Sequence, residues 1–140
     1  MATWRQKGVD CSIYSSGSVF AQKLLFGHIR DTTGASPHTS SEGQNASATT
    51  TVDRTDAIQM WFDTTNAGPK TERASYETIA HGLGTEAGKV LFLSDNVREV
   101  SAALEAGMKA IVVDRPGNAE LAGREREEYE VVTSFDQIKL

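Results

Sequence analysis

The stretch Lys89-Val90-Leu91-Phe92-Leu93-Ser94-Asp95-Asn96-Val97-Arg98-Glu99-Val100 decides the fold. Residues 90–93 form a short, wholly apolar run, the length of a strand buried on both faces of a sheet. Three small polar residues, Ser94, Asp95 and Asn96, end it. Val97, Val100, Ala103 and Leu104 then recur at helical spacing, Gly107 stops the pattern, and residues 110–113 read as a second apolar strand. Strand, helix and strand in one sheet imply parallel pairing with a right-handed crossover. Asp95 falls at the carboxyl end of the first of these strands, the edge of an open parallel sheet where ligands bind.

The same logic extends outward in both directions. Trp4-Arg5-Gln6-Lys7-Gly8 reads as the last turn of a helix, closed by Gly8 and carrying cations near its carboxyl end. A helix that opens on its own ending leads us to expect that earlier sequence is missing. Val9, Cys11 and Ile13 alternate as in a strand, residues 15–18 make a polar turn, and residues 19–29 read as a helix. Residues 58–62 read as an edge strand. After the loop Thr65-Asn66-Ala67-Gly68-Pro69, Pro69 is placed to open a helix whose apolar face is Tyr76, Ile79, Ala80 and Leu83, with Gly82 and Gly84 ending it. Downstream come a turn at residues 114–118, a charged helix over 119–130, a strand at Val131-Val132 and a terminal turn over 135–140 capped by Ser134. Strands and helices alternate throughout. The expected fold is therefore α/β, a parallel sheet with flanking helices.

Residues 31–51 break the pattern. They are rich in Ser, Thr and Ala, with scattered polar residues, and hold no Leu, Ile, Val, Phe, Tyr or Trp. Such a segment cannot bury enough apolar surface to offset ordering its backbone, about 1–2 kcal/mol per residue. We expect a disordered insertion within one domain spanning residues 1–140.

The 140 residues suffice for one domain. A net charge of −5 argues against a nucleic-acid or anionic-membrane partner, which need a basic face. The single cysteine, Cys11, allows no intrachain disulfide and fits a reducing compartment such as the cytoplasm. No apolar run approaches the roughly 20 residues of a membrane span, and residues 1–8 lack a signal-peptide core.

Three features fall at the expected carboxyl edge. Ser15-Ser16-Gly17 lies between strand and helix, where hydroxyls and free N–H groups suit an oxyanion; equally, Ser16 or Ser18 would serve as a helix cap. Lys70 is expected in the first turn of a helix, against the dipole, which points to an anion; a solvated surface lysine is the alternative. Asp95 would bind a hard cation such as Mg²⁺, with Glu99 one helical turn on to orient its water shell, or else would cap the helix.

Hydroxyl, lysine and aspartate in this order resemble the later part of a haloacid-dehalogenase-type phosphatase site. Tyr14-Ser15-Ser16-Gly17-Ser18-Val19, Ala21-Gln22-Lys23-Leu24-Leu25-Phe26-Gly27, Phe62-Asp63-Thr64, Gly68-Pro69-Lys70, Phe92-Leu93-Ser94-Asp95-Asn96, Arg115-Pro116-Gly117-Asn118-Ala119 and Thr133-Ser134-Phe135 together resemble the enolase-phosphatase E1, or acireductone synthase, family. The resemblance covers most of the chain outside residues 31–56. It implies a haloacid-dehalogenase-like Rossmannoid sheet. It also implies Mg²⁺-dependent enolisation and dephosphorylation of 2,3-diketo-5-methylthiopentyl-1-phosphate in L-methionine salvage. Substrate contacts would come from Ser15, Ser16 and Lys70, and a metal ligand from Asp95. The partner would be a small phosphorylated molecule, and the enzyme a cytoplasmic or nuclear monomer.

One departure stands out. The family's nucleophile strand ends Asp-x-Glu-Gly-Thr, and none of the aspartates here is followed two places later by Asp or Glu. The helical cap domain is not recognisable either. We therefore expect the C-terminal half of such an enzyme, with no catalytic nucleophile among these residues. An inactive fragment that binds phosphate or a partner is the alternative. A receiver-like signalling domain would need an acidic cluster, and only Asp95 offers itself.

Overall fold

A computed structural model describes residues 2–30 and 51–139. The chain divides into two compact units, Met1–Trp61 and Phe62–Leu140. The expected insertion lies outside the described residues, apart from its last member, Thr51.

The first unit opens with α1 (Ala2–Gln6), closed by Gly8 at φ 76°, as the sequence foretold. Strand β1 (Ser12–Ser15) leads through a polar turn into α2 (Val19–Gly27), whose first N–H groups are capped by Ser18 Oγ accepting from Ala21 N at 3.2 Å. Helix α2 stops short of the expected residue 29. Ile29 instead belongs to β2 (Ile29–Arg30), which pairs antiparallel with β3 (Thr51–Val52) in the register Ile29 to Val52. This ladder departs from the expected all-parallel arrangement. A 3₁₀ turn, Thr55–Ala57, follows, and then β4 (Met60–Asp63), which is bonded to β1 and begins two residues later than expected. Phe26 meets Trp61 edge to face, with ring centroids 5.3 Å apart.

The second unit is built on α3 (Arg73–Leu83), β5 (Leu91–Ser94), α4 (Val97–Glu105), β6 (Lys109–Val113), α5 (Gly123–Glu128) and β7 (Val131–Val132). Strands β5, β6 and β7 form a parallel sheet in that order, with Leu91 opposite Lys109 and Val112 opposite Val131. Helix α4 lies on β5 and β6 and packs against α3. It buries Val100, Ala102 and Ala103, with Val97 partly buried, but Leu104, expected on the same face, is exposed. Val100 and Val112 are fully buried and cluster with the buried Leu121, and Val97, Ala110, Tyr129 and Val131 pack around them. Gly107, at φ 85°, turns the chain from α4 into β6.

Helix α3 starts at Arg73 rather than at Pro69. Helix α5 covers six residues rather than 119–130, because Leu121 is drawn into the core by an extended segment before it. Strand β5 is half-exposed along its whole length rather than buried on both faces, because it lies at an edge of its sheet.

Candidate active site

The parallel pairing of β5 and β6 brings their carboxyl ends to one edge of the sheet. Asp95 directly follows β5 there and is exposed. It does not cap α4. That role belongs to Asn96, whose Oδ1 accepts from Arg98 N at 3.0 Å.

Lys70 does not sit in a helix. It lies in a turn three residues before α3, so the expected conflict with a helix dipole does not arise. The reason is local. Gly68 takes φ 109°, and the carbonyls of Pro69 and Lys70 accept side-chain donors from α3, Ser75 Oγ at 2.7 Å and Tyr76 OH at 2.5 Å. At the other end of the loop, Asp63 is buried, and its Oδ1 accepts from the N–H groups of Thr65 and Asn66 at 2.9 and 3.0 Å.

The Lys70 side chain reaches Glu99. Nζ donates to Oε2 at 2.9 Å, with both side chains mostly shielded (22% and 12% exposed). The same oxygen accepts from Ser94 Oγ at 2.8 Å, and Ser94 Oγ in turn accepts from Asn96 N at 3.1 Å. Glu99 Oε2 thus meets a lysine and a serine hydroxyl, contacts that the sequence did not lead us to expect. Lys70, Glu99 and Ser94 converge at the end of β5, where Asp95 begins the turn.

Sequence reasoning missed Ser94 and Tyr76. Each left a trace. A hydroxyl at the last strand position before an acid-bearing helix, and a Tyr where Phe would fill an apolar face, both need partners. Ser15 ends β1 in the first unit, and its Oγ accepts from Gly17 N at 3.1 Å, while Ser16 is exposed. The Ser16-or-Ser18 question is settled for capping by Ser18.

Asp95 suits one place around Mg²⁺, which takes one or two carboxylates and otherwise waters and phosphate oxygens. No cluster of three acidic, His or Cys side chains occurs among the described residues, so a complete set of protein ligands is not built from them. Nor is any helix among them long and apolar enough to cross a membrane.

No family model matches the sequence. Individual relatives do. An enolase-phosphatase E1 of Yarrowia lipolytica is 51% identical over 128 residues, 91% of this chain and 46% of its own length. One of Chaetomium globosum is 57% identical over 127 residues, 90% of this chain and 46% of its own. The chain is thus similar to enolase-phosphatase E1 proteins at 44–57% identity. It spans about half the length of the curated relatives it matches. The crystal structure of the UTR4 protein from Saccharomyces cerevisiae superposes with a TM-score of 0.78 at 37% identity, over 97% of this chain and 54% of that one. The L-2-haloacid dehalogenase RSc1362, 17% identical, shares the fold with a TM-score of 0.59 over 87% of this chain and 44% of its own. The fold is haloacid-dehalogenase-like, as the enolase-phosphatase E1 motifs implied.

Proposed function

We propose that this chain carries the phosphate- and metal-handling part of an acireductone synthase. That enzyme enolises 2,3-diketo-5-methylthiopentyl-1-phosphate and removes its phosphate in L-methionine salvage, with Mg²⁺ as cofactor. The observation that carries the reading is the Lys70–Glu99–Ser94 constellation at the carboxyl end of β5, beside an exposed Asp95 that caps nothing.

In this reading Lys70 faces the phosphoryl oxygens. An ammonium carries three donors, so the bond to Glu99 is compatible with a phosphate oxygen at another. Glu99, fixed by Ser94, aims that ammonium before the substrate arrives, the preorganisation from which electrostatic stabilisation draws its strength. Ser15 and Ser16 offer hydroxyls to substrate oxygens. Asp95 would hold Mg²⁺ through one carboxylate oxygen, and the bound ion would neutralise phosphate charge.

Phosphoryl transfer in this family's manner also needs a carboxylate nucleophile, and the 140 residues contain no Asp-x-Asp or Asp-x-Glu pair. This favours a second statement: these residues alone do not turn over. The test is to assay the chain with a generic phosphate ester and Mg²⁺. The same assay is run on the chain fused to the part of the Yarrowia lipolytica relative that it does not match. We expect no hydrolysis by the chain and hydrolysis by the fusion. In the fusion, Lys70→Ala should lower turnover by about 10²–10³, the scale for a lost preorganised donor. Asp95→Asn should be partly rescued by added Mg²⁺, and Lys70→Ala should not. Turnover by the chain alone, or full turnover in both variants, would remove these residues from the roles given.

A further inference from the structure

The side chain of Lys70 is held by Glu99, but its main chain is held separately. Lys70 lies in a turn, outside any helix or strand that would fix its backbone. Its carbonyl instead accepts the hydroxyl of Tyr76 at 2.5 Å. Among the described residues Tyr76 is the largest fully buried side chain, 0% exposed. Its ring meets Phe92 of β5 edge to face, with centroids 4.9 Å apart at 75°.

Two paths therefore tie Lys70 to the same strand. One runs from Nζ through Glu99 to Ser94. The other runs from the carbonyl through Tyr76 to Phe92. Filling the space between α3 and β5 asks only for an aromatic ring, and phenylalanine supplies one without a polar group to desolvate. The hydroxyl is a cost in the core unless it is bonded. Its bond goes to the one turn residue whose ammonium meets Glu99.

We propose that Tyr76 is a positioning residue for Lys70: its hydroxyl fixes the peptide from which the lysine side chain springs, so that Nζ stays at the end of β5. The proposal gives that site a support on α3, and it rests on the reading of Lys70 as the cation that faces phosphate. Its test reads Lys70 itself rather than phosphate release, so either can fail without the other.

The chain is labelled with limiting amounts of an amine-acylating reagent and each lysine is scored by mass spectrometry, with the exposed Lys23, Lys89 and Lys109 as internal references. Tyr76→Phe should raise Lys70 labelling about fivefold, the change in population that one net hydrogen bond carries, and leave the references unchanged. Glu99→Gln, which weakens the other path, should raise it as well. A purely structural tyrosine would lower the melting temperature and leave Lys70 labelling as it was. The wild-type chain supplies an independent reading by nitrogen-15 relaxation. The Lys70 amide should have an order parameter of about 0.85, that of rigid backbone, and a value below about 0.6 would overturn the proposal whatever the variant does. A folded Tyr76→Phe variant with unchanged Lys70 labelling would overturn it too. If that variant does not fold, the wild-type order parameter decides.

Discussion

Asp53 accepts two hydrogen bonds from one neighbour: the Thr55 hydroxyl at 2.7 Å and the Thr55 N–H at 2.8 Å. Both favour the charged carboxylate, the hydroxyl more strongly, and they hold its pKa below the ordinary carboxylate value. For an acid depressed in this way, the stabilisation is present above the unfolded-state pKa and is lost as pH falls through the folded one. The turn at Thr55–Ala57 should therefore loosen only in acid, below the usual carboxylate range. Replacing Thr55 with Val removes the hydroxyl and keeps the N–H. The Asp53 midpoint, followed by its carboxyl carbon in an NMR titration, should then rise toward the ordinary value. A midpoint that stays put would show that the hydroxyl contributes nothing.

Helix α4 is the element on which the site depends, because it carries Glu99 and is started by the residue after Asp95. Its N-cap bond, donated by Arg98 N and accepted by Asn96 Oδ1, satisfies a backbone donor that the helix itself cannot. Asn96→Ala should cost about 1 kcal/mol, read as a lower denaturant midpoint with an unchanged slope. A larger loss would mean that the turn holding Asp95 had moved as well. This helix was legible in the sequence because Val97, Val100 and Ala103 repeat with its period and a glycine closes it. The position of Asp95 was legible for the same reason. The start of α3 was not. Pro69 resembles a first helical residue, yet side chains from Ser75 and Tyr76, later in the same helix, take the carbonyls of Pro69 and Lys70, and no local pattern announces that. Strands β2 and β3 have two residues each, too few to show alternation, and they find each other across a long gap in sequence. The meeting of Glu99 with Lys70 lies 29 residues apart and needed the packing of α4 against α3 to appear.

At the scale of the whole molecule, β5 is bonded to β6 and to no other described strand. Lys109 N donates to Val90 O at 3.0 Å. By the alternation of a parallel ladder, Phe92 and Ser94 then face β6, and the N–H and C=O groups of Leu91 and Leu93 point the other way. An apolar strand with such an edge is a template for pairing with another chain. We expect the chain to self-associate as its concentration rises. Leu93→Lys, which puts a charge on the edge strand, should shift its sedimentation toward monomer. Identical sedimentation of the two would mean that the edge is otherwise protected. The ladder of β2 and β3 acts on the molecule differently. It sets the chain's exit at position 30 and its return at position 51 side by side, at the roughly 5 Å spacing of paired strands. Those two positions are a port. Doubling the length of chain carried between them adds only about 0.6 kcal/mol of closure entropy. A reporter domain with adjoining ends can be spliced there, and the molecule can be tagged internally with both of its termini left untouched.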